Sequence, residues 1–176
     1  MVDQEPPAEE ALENWAILPD PYWEPKGDDD MPPPEAMVGG WLLDENGNAG
    51  PFQPNPDYVP RDDASPTDPA DAVMRLIVEG QATIDDLIPV VQDAIVELAV
   101  TEDGYPLVGP APDKTPCVAV ATAAVHRKRV GGDNWAELTF PELVDVLPAD
   151  TDILLNPGAP ASTLLIASTL AEPPSA

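Results

Sequence analysis

Proline is the residue that most constrains how this chain folds. The sequence holds 25 prolines among 176 residues, and 14 of them lie within residues 1–70. Proline fixes φ and lacks a backbone donor, so it is confined to loops, turns, sheet edges and the first turns of helices. Residues 1–70 are therefore predicted to be rich in loops. Because Trp15, Trp23 and Trp41 also lie there, this part is expected to dock on the rest of the chain through aromatic anchors.

The charge of the chain restricts its partners. Aspartate and glutamate number 33 against 7 lysines and arginines, which gives a formal charge of −26. Residues 1–70 carry 17 acids and 2 bases, and residues 71–176 carry 16 acids and 5 bases. Nucleic acids and anionic membranes repel such a surface. A basic protein is attracted to it and associates rapidly, so the sequence predicts a basic protein partner.

Composition and length are those of a folded protein. The hydrophobic fraction of 43% is enough to build a core, and the length fits one domain with an extension. The acidic N-terminus lacks the basic and apolar regions of a signal peptide. No apolar run approaches the roughly 20 residues needed to span a bilayer. A cytoplasmic location is expected.

A β-hairpin is the clearest element of the first part. Apolar residues 38–43 and 49–52 flank the dipeptide Asn46-Gly47, which adopts the positive φ angles of tight hairpin turns. Because side chains alternate along a strand, Trp41 and Leu43 are expected on one face and Leu42 on the other.

Two helices are predicted to open the second part. Thr67 or Asp68 caps the first, Pro69 occupies its first turn, and apolar residues follow at helical spacing. Asp71 and Arg75 are expected to pair on its exposed side, and Gly80 ends it. Thr83 opens the second helix; Pro89 inside it should kink the helix or move its start. The apolar residues at helical spacing are Ala70, Val73, Met74 and Ile77 in the first helix and Ile84, Leu87, Ile88 and Val91 in the second.

The remaining apolar segments indicate strands. They lie at residues 95–100, 118–125, 152–155 and 163–166. Residues 102–104 suit a turn, and Thr139 with Glu142 has the spacing of a capping box before a short helix. Helices alternating with strands predict an α/β sandwich with a mixed sheet.

No residue is assigned a catalytic, cofactor-binding or metal-binding role. His126 is the sole histidine and is expected at an exposed strand end beside residues 127–129, a basic cluster that either neutralises nearby acids or contacts an anion or partner. Cys117 lies in an apolar run and is expected to be buried and inert. Residues 28–30 form an acidic loop without the ligand spacing of a calcium loop. Phosphate-binding glycine motifs are absent, so the protein is not expected to be an enzyme.

Several segments in order resemble a known family. They are the acidic turn at 101–106, the Pro/Asp loop at 111–116, the strand at 118–122, the helix start at 140–143 and the segment Asp152-Ile153-Leu154-Leu155-Asn156-Pro157-Gly158. This order resembles the SseB-like domain, an α/β module of bacterial proteins. The hairpin at 38–52 and the helix start at 65–69 resemble actinobacterial proteins associated with type VII secretion. The resemblance covers residues 36–170.

The resemblance implies an organisation and a function. It divides the chain into an acidic extension (residues 1–35), a hairpin segment (36–64) and an SseB-like domain (65–176). Proteins of this kind include the immunity factor of the tuberculosis necrotizing toxin, an NAD glycohydrolase. The resemblance thus implies an immunity protein that occludes a secreted toxin of this class. The alternatives are a secretion adaptor or chaperone for an export substrate, and a domain whose acidity serves solubility only.

Partner contacts are expected where acids, aromatic residues and glycines combine. Trp41 is an anchor candidate, although a place in the hairpin core is slightly favoured for it, and the adjacent glycines either admit a partner or shape a bulge. The residues assigned to partner binding are Tyr22, Trp23, Asp28, Asp29, Asp30, Gly39, Gly40, Trp41, Asp44 and Glu45.

Overall fold

The part of the chain that the structure describes folds into two β-sheets packed with helices. A computed structural model describes residues 14–27 and 30–170. The smaller sheet has three antiparallel strands in the order β1 (Trp15–Pro19), β2 (Met37–Leu43) and β3 (Ala49–Pro54). Strands β2 and β3 are the predicted hairpin, and Gly47 in their turn has a φ of 80°. The hairpin prediction is confirmed.

Strand β1 was not predicted from the sequence. It pairs with β2 from Trp15, opposite Leu42, to Pro19, opposite Met37. Its apolar residues are few and lie between Asn14 and a proline, so their run is too short to distinguish a strand from a loop. The segment that was assigned to the acidic extension therefore supplies an edge strand to the smaller sheet.

The larger sheet has six strands and is mixed. Its order is β7 (Trp135–Thr139), β4 (Ile95–Ala99), β6 (Pro116–Ala121), β8 (Asp152–Leu155) and β9 (Thr163–Leu165), while β5 (Val108–Pro110) pairs with the start of β6. The β6–β8 pair is parallel and the other pairs are antiparallel. The predicted α/β class with a mixed sheet is confirmed.

The helices begin at the predicted caps. Helix α1 (Pro69–Val78) is capped by the Asp68 carboxylate, and α2 (Ile84–Gln92) begins with a Thr83–Asp86 capping box. Helix α2 keeps its predicted start although Pro89 lies inside it. Helix α3 (Phe140–Val146) begins with the Thr139–Glu142 box, and the short α4 (Ala167–Leu170) follows β9. No helix in the described ranges is long and apolar enough to cross a membrane.

One hydrophobic core joins the two sheets. The smaller sheet contributes Val38 and Phe52, and helices α1 and α2 contribute Met74 and Leu87. They pack with buried apolar residues of the larger sheet, among them Val96, Leu98, Val118, Val120, Ile153, Leu155 and Leu165. The Phe52 amide also donates to the carbonyl of Asp93, just before β4. The smaller sheet is therefore fixed on the larger one.

Two sequence predictions were wrong. Strand β6 ends at Ala121, and residues Ala124–Arg129 form a 3₁₀ helix that places His126 in the interior, with 3% of its surface exposed. The Asp71–Arg75 pair exists, but Asp71 is fully buried rather than on an exposed face. The two errors have different causes. His126 is held in the interior by Thr67, which is remote in sequence, whereas Asp71 is buried with local partners, the Thr67 amide and Arg75.

Candidate functional site

An apolar groove lies on the outer face of the smaller sheet. We call it the hairpin groove; its volume is about 460 Å³. Its wall and floor come from β1, from the 3₁₀ turn Pro34–Ala36, from β2 and from the end of β3. The lining residues are Trp15, Ile17, Pro34, Met37, Gly39, Gly40, Gln53, Pro54, Asn55 and Pro56.

The Asn55 amide holds one wall of the groove in place. Its Nδ2 donates to the carbonyls of Pro34 (2.7 Å) and Met37 (2.9 Å), while its backbone N–H donates to the carbonyl of Val38. These bonds fix the 3₁₀ turn against the end of β3. Because prolines at this site cannot donate hydrogen bonds, a side-chain amide supplies the connection.

The two adjacent glycines are required by internal packing. A Cβ on Gly39 would lie 2.3 Å from the carbonyl oxygen of Gln53 and 2.6 Å from the Phe52 ring. A Cβ on Gly40 would lie 2.7 Å from the carbonyl oxygen of Ala16. Both glycines line the hairpin groove, and a Cβ on Gly40 would also meet the groove-lining side chains of Ile17 and Trp15 at 3.3 Å.

Trp41 lies on the opposite, core-facing side of the sheet. Its ring meets Phe52 edge to face, with the ring centroids 5.0 Å apart, and it packs against the core. Trp41 and Phe52 border a second cavity of about 210 Å³ that also meets Asp68, Asp93 and Thr122. Trp41 therefore lies in the hairpin core, which was the alternative to a partner-binding anchor.

The predicted aromatic residues Tyr22 and Trp23 lie in a turn that begins at Asp20. The carboxylate of buried Asp20 accepts from the Tyr22 amide (2.7 Å) and from the Tyr58 hydroxyl (2.6 Å). Burial, then the bond to Asp20, raises the pKa of Tyr58. Tyr22 is 55% exposed. The guanidinium carbon of Arg61 lies over the Tyr22 ring, 4.8 Å from the ring centroid. Trp23 is partly buried.

The predicted acids are spread over separate places. Exposed Asp30 accepts from the Lys26 amide, whereas Asp28 and Asp29 lie outside the described residues. Exposed Asp44 and Glu45 lie in the turn between β2 and β3. The side-chain and backbone donors of Asn48 lower the pKa of Asp44. Of the predicted set, the hairpin groove is lined by Gly39 and Gly40.

A second depression adjoins the hairpin groove and was missed by the sequence analysis. We call it the acidic depression; it measures about 320 Å³ and lies beside β7. Its carboxylates are Glu137 and Glu142. The sequence identified Glu142 only as a helix-capping residue and did not single out Glu137, because the position of Glu137 depends on strand register. The lining residues are Gln53, Pro54, Pro56, Ile95, Glu137, Leu138, Thr139 and Glu142.

Buried polar groups connect helix α1 to the larger sheet. Asp68 accepts from the Asp71 amide (3.0 Å) and from the hydroxyls of Thr67 (2.8 Å) and Thr122 (2.7 Å). The Nδ2 of Asn156 donates to the Thr122 hydroxyl, and the Oδ1 of Asn156 accepts from the Thr122 backbone N–H. Burial raises the pKa of Asp68 more than these donors lower it.

His126 joins this network through Thr67. Its Nε2 lies 2.7 Å from the Thr67 hydroxyl. Since that hydroxyl donates to Asp68, Nε2 carries the proton and donates to the hydroxyl. Burial lowers the pKa of His126. The network therefore holds His126 in the interior, far from the exposed strand end that the sequence predicted.

The basic cluster is partly neutralised inside the molecule. The Nε of Arg127 donates to buried Glu97 over 2.7 Å, and Arg129 donates to the carbonyl of Gly158 over 3.3 Å. Lys128 is exposed. Buried Cys117 has a pKa raised by burial, as predicted for an inert thiol.

The geometry of the described residues is the guide to the function of this protein. No protein-family model, curated protein or solved structure matches the chain. Within residues 14–27 and 30–170, no group of three histidine, cysteine or carboxylate side chains is arranged to hold a metal. What the described surface offers is an apolar groove with carboxylates beside it, which is an arrangement suited to binding.

Proposed function

We propose that this protein is a cytoplasmic immunity protein with an SseB-like sandwich fold. It binds a basic, secreted toxin domain and covers the toxin's active site. An NAD glycohydrolase is the toxin class that the family resemblance implies. The observation that carries the proposal is the hairpin groove, an open apolar surface on a chain with a net charge of −26.

The groove and the charge have separate parts in such binding. Apolar side chains in a central groove contribute most of the affinity once water leaves. Surrounding carboxylates speed the encounter and select a positively charged partner. Occlusion of this kind needs no catalytic group on the inhibitor.

Co-expression tests the proposal directly. The chain is expected to rescue cells that express the toxin domain encoded beside its gene. Ile17→Lys should lose rescue, because it places a cation in the groove lined by Ile17. Val78→Lys is the matched control, since Val78 is 66% exposed on α1 and lies outside the groove. Absence of rescue by the unaltered chain would refute the proposal.

The salt dependence of binding gives a second check. Screening of exposed charges grows with ionic strength, so association with the toxin domain should slow as salt is raised. Surface plasmon resonance at several salt concentrations measures this effect. An association rate that does not change with salt would contradict a charge-steered encounter. Binding to an export substrate instead of a toxin would favour the adaptor alternative.

A further inference from the structure

We propose that the hairpin groove and the acidic depression act as one docking surface with two parts. The groove takes an apolar side chain of a basic polypeptide, and the depression takes an arginine or lysine that follows it. This inference rests on the proposed function in that both require a protein partner. It goes further by naming the features that the partner segment presents.

The two depressions are adjacent. Gln53, Pro54 and Pro56 line both of them, so the end of β3 borders the groove and also the depression that holds the carboxylates. A third, smaller depression shares Pro54 and Pro56 and is lined by Glu97, Arg127 and Glu137. An extended peptide that crosses the end of β3 therefore meets an apolar surface first and carboxylates next.

Glu137 is an exposed carboxylate that makes no ion pair within the described residues. It lies directly opposite Glu97 in the β4–β7 pair, and like charges in opposed positions destabilise a sheet. Arg127 pairs with Glu97. The ion pairs in the described part of the chain are Arg127–Glu97 and Arg75–Asp71, so neither involves exposed Glu137.

Glu142 adds a second, fixed charge to the depression. Its carboxylate accepts from the hydroxyl and the amide of Thr139 at 2.7 and 2.8 Å. These bonds lower the pKa of Glu142, so the group stays ionised at neutral pH. A cation entering the depression meets two carboxylates.

Charge also decides which molecule occupies the surface. A second copy of this chain would bring a formal charge of −26 to an equally acidic surface, and nucleic acids and anionic membranes are repelled for the same reason. A polypeptide with an apolar residue next to a basic one matches both parts. The occupant is therefore a basic protein segment.

Nuclear magnetic resonance with short peptides tests the docking surface. The probe is a capped peptide with one leucine and one arginine two residues apart, added to the ¹⁵N-labelled full chain. The amide signals of Gly40, Gln53 and Glu137 should shift together. Control peptides with glutamate for arginine, or glycine for leucine, should bind more weakly.

Variants of the protein make the test specific. Glu137→Gln should weaken binding of the arginine peptide by about two- to fivefold, the range for an exposed ion pair. Glu102→Gln, an exposed turn position, should leave the affinity unchanged. The spectrum of each variant must keep the dispersion of the folded protein.

Four outcomes decide between the proposals. Unchanged affinity in Glu137→Gln, or shifts confined to the Asp44–Glu45 turn, would overturn the docking surface even if the chain rescues cells. Peptide-induced self-association would assign the groove to a second copy and overturn it as well. If the unaltered chain binds the peptide but does not rescue cells from the toxin domain, the immunity role is refuted and the docking surface is not.

Discussion

Replacing Thr122 by valine should reveal how strongly the buried network stabilises the fold. The Thr122 hydroxyl donates to Asp68 over 2.7 Å and accepts from the Asn156 amide over 2.7 Å. Thr122 is 3% exposed, so water cannot replace either bond. Valine keeps the branched shape of threonine and removes the oxygen, which isolates the hydrogen-bonding effect.

The expected loss follows from the two bonds. A typical hydrogen bond contributes about 0.5–1.5 kcal/mol, and a buried donor left without a partner costs about 1–3 kcal/mol. Thr122→Val removes the bond to Asp68 and leaves the Asn156 amide donor without a partner. The free energy of unfolding should therefore fall by about 1.5–4.5 kcal/mol, which is a large part of the stability of a typical domain.

Urea denaturation followed by tryptophan fluorescence measures this loss. Thr151→Val is the matched control, because Thr151 is 4% exposed and its hydroxyl makes a single bond, to the carbonyl of Ala149 at 3.2 Å. The control should lose about 0.5–1.5 kcal/mol. If Thr122→Val costs no more than Thr151→Val at an unchanged m-value, the assigned importance of the network is wrong.

Three further predictions concern single positions. Burial lowers the pKa of His126 below 6.5, so the histidine binds a proton more tightly in the unfolded chain than in the folded one. The free energy of unfolding should therefore fall as the pH drops below 6.5. His126→Gln should remove this pH dependence from urea denaturation midpoints measured below pH 6.5. Gly39→Ala should cost about 1–3 kcal/mol, since its Cβ would lie 2.3 Å from the carbonyl of Gln53; Gly131→Ala, with nothing within 4 Å, should leave the melting temperature nearly unchanged. Cys117 should react with a maleimide far more slowly in the folded protein than in urea, because burial raises its pKa and covers its sulfur; equal rates would contradict this.

Local chemistry made much of the fold predictable. The caps at Thr83 and Thr139, the turn at Gly47 and the stop at Gly80 act over a few residues. Such signals are therefore readable from adjacent sequence. The mixed sheet followed from the alternation of these helices with apolar strands.

Contacts between remote residues were not predictable. His126 is held by Thr67, 59 positions away, and Glu137 faces Glu97 only through strand register. Strand β1 becomes recognisable through its pairing with β2. In the candidate site, the sequence pointed to Gly39 and Gly40 but not to the carboxylates beside them, because charge alone does not single out a few acids among 33.

The shared core also determines how a partner would meet this surface. Val38 and Phe52 anchor the smaller sheet among residues of the larger one, and Asn55 secures the groove wall. A surface held in this way loses little conformational entropy on binding. Association should then resemble the docking of two rigid bodies, with backbone shifts within about 1 Å, and the dissociation rate should distinguish strong partners from weak ones.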